Sequence, residues 1–337
     1  MSANRSAALA GLAVSALTLS ACGGDEDSLP SASSEEQGLE VMVSFYPLEF
    51  VTSRIAGDLA TVQTLTSPGV DPHDAELTPQ SVASVQQADM VIYSSGLQPG
   101  VDDAVEGQAS DHSFDVNPAA DLMEAGDEEE NEHGEEDHAE EEHGEEDHAE
   151  EEHGEEDHAE DEHGDTDPHF WLDPERMAGV SGAIADELAQ VDPDHAQSYQ
   201  ANADELVAEL TTLKQEYNTG LATCSREDLI TTHAAFGYIA EPYGLHQISV
   251  TGLVPNSEPS AARLAEISAI IEESQATTVY SEVLLGADIA ETVAGETGAT
   301  VRVLDPIEGI TDSSPGGDYL EVMRANLESL REGQDCS

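Results

Sequence analysis

Lysine and arginine are nearly absent: 9 of them in 337 residues, against 73 aspartates and glutamates, for a formal net charge of −64. A chain this poor in cations cannot neutralise a phosphate backbone, so nucleic-acid binding is excluded. Part of the acid is concentrated at positions 127–167, which hold 25 acids and no Lys or Arg. The rest of the chain still carries 48 acids against the same 9 cations, so its net charge stays near −39. That reads as a surface adapted to high salt, where ions screen self-repulsion, in preference to an acidic patch made for one partner. Cysteine is scarce too, with three residues and no CxxC spacing, which argues against a thiolate metal site. The one apolar run, Ala7 to Ser20, is too short to be a good membrane span.

That run follows Arg5 and ends in Leu19-Ser20-Ala21-Cys22, then Gly23-Gly24. Residues 1–21 read as a signal peptide. The box resembles a bacterial lipoprotein cleavage site, where Cys22 becomes the lipid-modified first residue. Residues 22–38, rich in Ser, Gly and acids, then read as a flexible tether. In an oxidising compartment, the remaining Cys224 and Cys336 are most simply a disulfide, with metal ligation the weaker alternative.

From Leu39 the chain alternates strand and helix. Leu39–Ser44 and Ala60–Thr66 read as strands around a helix at Pro47–Gly57, which predicts a parallel pair with a right-handed crossover. Thr78-Pro79 opens a helix, with Thr78 as N-cap, and Ala88–Tyr93 is a further strand. Asp173-Pro174 starts a helix running to about Gln190. A second, from Asp194 to Leu221, carries Leu206, Leu210, Leu213 and Tyr217 at i, i+4, i+7 and i+11; about 28 residues is about 42 Å, long enough to span two lobes. Strands at Asp228–Thr232, Leu245–Val250, Thr277–Ser281 and Thr300–Leu304 then alternate with helices at Ala234–Tyr243, Pro259–Gln275 and Ala287–Thr297. A helix at Pro315–Arg331 closes the chain. The expected fold is α/β: two parallel-sheet lobes, 39–192 and 223–337, joined by a long rigid backbone helix within 193–222, with a metal in the interlobe cleft.

Residues 126–165 are low in complexity. The unit Glu-Glu-His-Gly-Glu-Glu-Asp-His-Ala-Glu fills 141–150 and again 151–160, and seven histidines from His133 to His163 recur every five residues. Five is no helical neighbour distance, and the charge cannot build a core, so the tract reads as disordered. Dense, mobile imidazoles and carboxylates make it a low-affinity metal collector; the plain alternative is a solvated acidic linker.

Four side chains fall where a parallel sheet gathers ligands, beyond strand ends or at a helix start. They are His73 in Asp71-Pro72-His73, His169 in Asp167-Pro168-His169, His233 after Leu229–Thr232, and Asp305 after Val301–Leu304. Two come from each lobe. Three imidazoles and a carboxylate suit tetrahedral Zn²⁺, whereas Mn²⁺ would favour more oxygen. A closed four-ligand set leaves no position for an activated water and argues for binding over hydrolysis. The ligand imidazoles must be neutral, so capture should weaken as pH falls through about 6.5. Glu282 also follows a strand and is either a neighbour of the site or an alternative ligand. Asp74 and Asp173 read as helix caps, His112, His195 and His246 as surface residues, and Trp171 as packing beside His169.

The chain from 39 to 335 resembles the zinc-binding receptors of bacterial ABC uptake systems, the ZnuA-like family. The resemblance rests on Asp71-Pro72-His73, Asp167-Pro168-His169-Phe170-Trp171-Leu172-Asp173-Pro174, Thr231-Thr232-His233-Ala234-Ala235-Phe236-Gly237-Tyr238, Glu258-Pro259-Ser260 and Leu304-Asp305-Pro306. It implies metal ligation by the three histidines and the late aspartate, two lobes on a backbone helix, and the late disulfide. It also implies zinc over manganese, because manganese members usually carry Glu where His233 stands. The expected protein is a monomeric, non-enzymatic receptor held to the outer face of the membrane by a lipid on Cys22, passing Zn²⁺ to an ABC permease. The alternatives are a surface metal-buffering or adhesion lipoprotein without a transporter, and a manganese receptor of the same family.

Overall fold

The computed structural model describes residues 38–125, 166–255 and 259–337. The signal peptide, Cys22 with nearly all of the tether, the His-rich tract and Glu258 lie outside the described residues. Strands β1 (Leu39–Val43) and β2 (Ala60–Thr64) flank helix α1 (Tyr46–Ala56) and pair in parallel, Leu39 opposite Ala60. After α2 (Pro79–Gln87) come β3 (Met90–Tyr93), α3 (Pro99–Gln108), β4 (Ser113–Asp115) and α4 (Asn117–Ala120). The four strands form one parallel sheet in the order β2-β1-β3-β4. Thr78 caps α2 as its sequence suggests, its hydroxyl oxygen accepting from the Ser81 N–H.

Two helices follow the break in the described chain. In α5 (Pro174–Val191), Asp173 is the N-cap and accepts from the Glu175 N–H. Then α6 (Ala196–Gly220) runs 25 residues, about 38 Å at 1.5 Å per residue. Its buried stripe is Tyr199, Ala203, Leu206, Leu210, Leu213 and Tyr217, the 3.6-residue periodicity read from sequence. The second sheet holds β5 (Asp228–Thr231), β6 (His246–Ser249), β7 (Thr278–Ser281) and β8 (Thr300–Val303), all parallel, in the order β6-β5-β7-β8. Around it lie α7 (Gly237–Ala240), α8 (Ala261–Ser274), α9 (Asp288–Thr297) and α10 (Tyr319–Gly333). The two sheets share one ordering rule: the first strand sits inside and the second at the edge.

The backbone helix α6 touches a helix packed on each sheet. Asn202 Nδ2 donates to the Ile55 carbonyl on α1 at 2.8 Å, and Tyr217 Oη donates to the Met323 carbonyl on α10 at 2.7 Å. One apolar cluster runs through the middle and includes Val41, Phe45, Trp171, Leu206, Leu229 and Leu304. Burial of such large side chains is the main favourable term in the fold. Cys224 and Cys336 form a disulfide across a sequence separation of 112. Among the described residues, no helix is long and apolar enough to cross a membrane.

Helix α3, strand β4 and helix α4 stand where the sequence reading has no element, and two elements that it does have differ. Residues 234–243 form the four-residue α7 and a 3₁₀ turn at Glu241–Tyr243 rather than one helix, because Pro242 cannot donate into a continuing helical ladder. The last helix starts at Tyr319, not Pro315, since Gly316-Gly317 is a poor helix start and Asp318 supplies the cap by accepting from the Glu321 N–H.

Candidate metal centre

One local device recurs at three of the four segments that build the site. In Asp71-Pro72-His73 the Asp71 Oδ1 accepts the His73 N–H at 2.8 Å. In Asp167-Pro168-His169 the Asp167 Oδ1 accepts the His169 N–H at 2.9 Å. In Asp305-Pro306-Ile307 the Asp305 Oδ1 accepts the Ile307 N–H at 2.8 Å. Each is an Asx turn: proline pre-sets the middle φ and has no N–H to satisfy, and the aspartate takes the next one. The first two turns rigidly present a histidine. The third presents the residue after it, Glu308.

His73, His169, His233 and Glu308 each aim one atom at a common point, and these atoms all lie within 4.8 Å of one another. His73 Nε2 and His169 Nε2 are 3.3 Å apart. Glu308 Oε1 lies 3.4 Å from His73 Nε2, 3.4 Å from His169 Nε2 and 3.7 Å from His233 Nε2. A tetrahedron whose centre-to-ligand distance is about 2.0–2.1 Å has edges of about 3.3–3.4 Å, which is the spacing of a four-coordinate zinc site. His169, His233 and Glu308 are buried and His73 nearly so. The His233 Nε2 and Glu308 Oε1 atoms are buried without a hydrogen-bond partner. Orphaned polar atoms facing one point are costly unless something occupies that point, so the donor set fits a bound cation.

The far nitrogens are held just as firmly. His169 Nδ1 lies 2.7 Å from Asp167 Oδ1, and His233 Nδ1 lies 2.7 Å from Glu282 Oε2. A carboxyl on Nδ1 fixes the tautomer that leaves the Nε2 lone pair free to ligate. Burial alone would lower the His169 imidazole, but Asp167 and Glu308 outweigh it and raise it to about 10. Burial likewise opposes protonation of His233, while Glu282 and Glu308 raise it. Burial would raise the Glu308 carboxyl; the facing imidazoles of His169, His73 and His233 instead hold it far below the usual carboxylate range. Imidazole protons and the Glu308 carboxylate thus stabilise one another here, and a dication at the same point would displace those protons.

The sequence reading of the ligands includes Asp305, whereas the structure brings the three histidines together with Glu308. Asp305 is buried at the edge of the site, but the four converging atoms do not include one of its own. Its Oδ1 is spent on Ile307, and the chain then turns through a left-handed Ile307, φ +60°, so that the longer Glu308 arm reaches inward. Glu282 is the partner of His233 rather than a member of the converging set. Trp171 packs beside His169 and also donates Nε1–H to the Pro306 carbonyl at 2.7 Å. Asp74 ends a 3₁₀ turn at Pro72–Asp74, and the cap of the next helix is Thr78. His195 bonds Asp192, His112 bonds Asp111, and His246 is exposed near Asp228.

A buried three-imidazole, one-carboxyl cluster whose ligand atoms converge on one point fits a receptor for a divalent cation. The chain belongs to the family described as zinc-uptake complex component A, periplasmic, whose model matches residues 41–333. It is 34% identical over 321 residues to the high-affinity zinc uptake system protein ZnuA of Bacillus subtilis, covering 94% of this chain and 93% of that one. Among solved structures it is similar to the laminin-binding protein Lmb of Streptococcus agalactiae, described as a bifunctional protein with adhesin and metal transporting activity (TM-score 0.71, 28% identity, 88% of this chain and 100% of that one). It is also similar to the Zn(II)-bound ZnuA-like domain of Streptococcus pneumoniae AdcA (TM-score 0.69, 28% identity, 88% of this chain and 99% of that one).

Proposed function

We propose that this protein is an extracytoplasmic receptor that captures Zn²⁺ through His73, His169, His233 and Glu308 and delivers it to the permease of an ABC transporter. A lipid on Cys22 would hold it to the outer face of the membrane, where it works as a monomer. The observation that carries the reading is the spacing of the four converging atoms, 3.3–3.7 Å where measured pairwise to Glu308 and between His73 and His169. Three nitrogens and one oxygen favour Zn²⁺ over the more oxygen-loving Mn²⁺. With all four tetrahedral positions taken by side chains, no water is held for attack on a substrate, which supports capture without chemistry.

Capture follows from the residues. The Asx turns hold His73 and His169 in place before the ion arrives, so little ordering entropy is lost on binding. Asp167 and Glu282 keep the Nδ1 protons, so each buried imidazole has only Nε2 to offer. Protons bound at the centre leave as the ion enters. The test is a chelator-competition zinc titration of the protein lacking residues 1–22. One tight site per chain, lost in His233→Ala, is the expected result; undiminished tight binding in His233→Ala would overturn the assignment.

A further inference from the structure

The turn that carries Glu308 is held by groups that never reach the ion. Strand β8 ends at Val303, and the Leu304 N–H still bonds the Ser281 carbonyl at 3.0 Å. From there the backbone leaves the sheet. At Asp305 a single amide from α10 takes both main-chain groups: Asn326 Oδ1 accepts the Asp305 N–H at 2.9 Å, and Asn326 Nδ2 donates to the Asp305 carbonyl at 2.7 Å. The Asp305 side chain then takes the Ile307 N–H. Ile307 is buried with φ +60°, a conformation that is strained for a β-branched residue and persists only where its surroundings impose it. Glu308 is the next residue. Its direction is therefore set by the strained Ile307, and Ile307 is imposed by Asp305 and Asn326.

We infer that Asp305 and Asn326 are positioning residues that aim Glu308 at the metal centre, with Asp305 not itself a ligand. The inference rests on the reading of Glu308 as a ligand. Both residues are buried, at 2% and 1% relative exposure, so neither is kept for contact with solvent or a partner. Asn326 is the sole buried amide on α10 and spends both ends on one residue of the site turn. The arrangement explains an aspartate just past a strand end that is buried yet adds no atom to the converging set: the turn needs its Oδ1.

The test is a set of zinc dissociation constants on the intact protein, measured for Asn326→Leu, Asp305→Ala and Asp305→Asn, each in the natural background and in Glu308→Gln. Glu308→Gln must itself weaken zinc; if it does not, the ligand reading fails and this inference with it. Given that loss, Asn326→Leu and Asp305→Ala should each weaken zinc by about 10–100-fold in the natural background, the range for groups that orient a ligand. In Glu308→Gln the same changes should cost less than about threefold, because the residue they act through has already lost its charge. Asp305→Asn keeps an oxygen for the Ile307 N–H and should recover most of the Asp305→Ala loss. Equal losses in both backgrounds would overturn the inference, and so would an Asp305→Asn protein as weak as Asp305→Ala, which would mark ligation. Should Asn326→Leu fail to fold, the Asp305 pair still decides.

Discussion

Replacing Glu282 by glutamine should weaken zinc binding while leaving the metal-free fold almost unchanged. Glu282 is buried, and its two oxygens have separate duties. Oε1 accepts from the Thr232 hydroxyl and, at 3.3 Å, from the His233 N–H. Oε2 faces His233 Nδ1 at 2.7 Å. In the glutamine variant the oxygen is best placed toward the two donors, which puts the amide NH₂ against Nδ1. His233 must then accept at Nδ1 and carry its proton on Nε2, the atom that should meet the ion. The volume and the hydrogen-bond count survive, so the metal-free Tm should move by only a few degrees. Zinc affinity should fall about 10–100-fold, equivalent to about 1.4–2.7 kcal/mol. Chelator competition gives the affinity, and a metal-free melt controls for folding. A dissociation constant within about twofold of the natural protein would refute the claim that Glu282 sets the His233 tautomer.

Three further outcomes are expected. First, His169 is raised to about 10 and His233 is raised as well, so protons compete with zinc most fully below those folded values and cease to as pH rises through them. Affinity should keep climbing from pH 6.5 to 9, by up to about tenfold per unit for each proton displaced, rather than levelling off above 6.5; calorimetry in buffers of different ionisation enthalpy should find at least one proton released per ion at pH 7.5. By the same sign, the His169 contribution to metal-free stability is present below about 6.5 and is lost as pH rises toward 10, so the zinc-induced gain in Tm should grow over that range. Second, converting Cys224 and Cys336 to serine should destabilise the fold by about 4 kcal/mol, given the separation of 112, while the zinc constant stays put, since neither sulfur lies among the converging ligands; a melt and a titration separate the two. Third, deleting 126–165 should leave one tight site per chain, because all four proposed ligands lie in the described residues; loss of tight binding would move the receptor function to the tract.

The convergence of the three histidines was legible because each stands beside a strong local signal. His73 and His169 follow Asp-Pro, a turn that forms from its own side chain, and His233 follows an apolar β-branched run. The long helix was legible from Leu206 to Tyr217, whose spacing is that of one helical face. The carboxylate that joins the histidines in the structure, Glu308, was not legible, and the reason is specific. Asp305 occupies the position just past a strand where a ligand is expected, whereas Glu308 reaches the centre only because Ile307 takes a left-handed conformation that no propensity favours for isoleucine. The repeated Asp-Pro was the signal available: at 71 and 167 the aspartate builds the turn and a later residue ligates, and 305 follows the same grammar. Helix α3 escaped for the opposite reason. Its sequence, with Gly100, Gly107 and the pair Asp102-Asp103, has weak intrinsic helicity, and tertiary packing of Val101, Ala104 and Val105 carries it.

The most direct test is the structure of the zinc-loaded protein with anomalous scattering recorded across the zinc absorption edge. The account predicts one strong peak inside the cage, about 2.0–2.2 Å from the Nε2 atoms of His73, His169 and His233 and from a Glu308 oxygen, with Asp305 still bonded to Ile307. A peak coordinated by Asp305 in place of Glu308, or no peak between the two sheets, would contradict it.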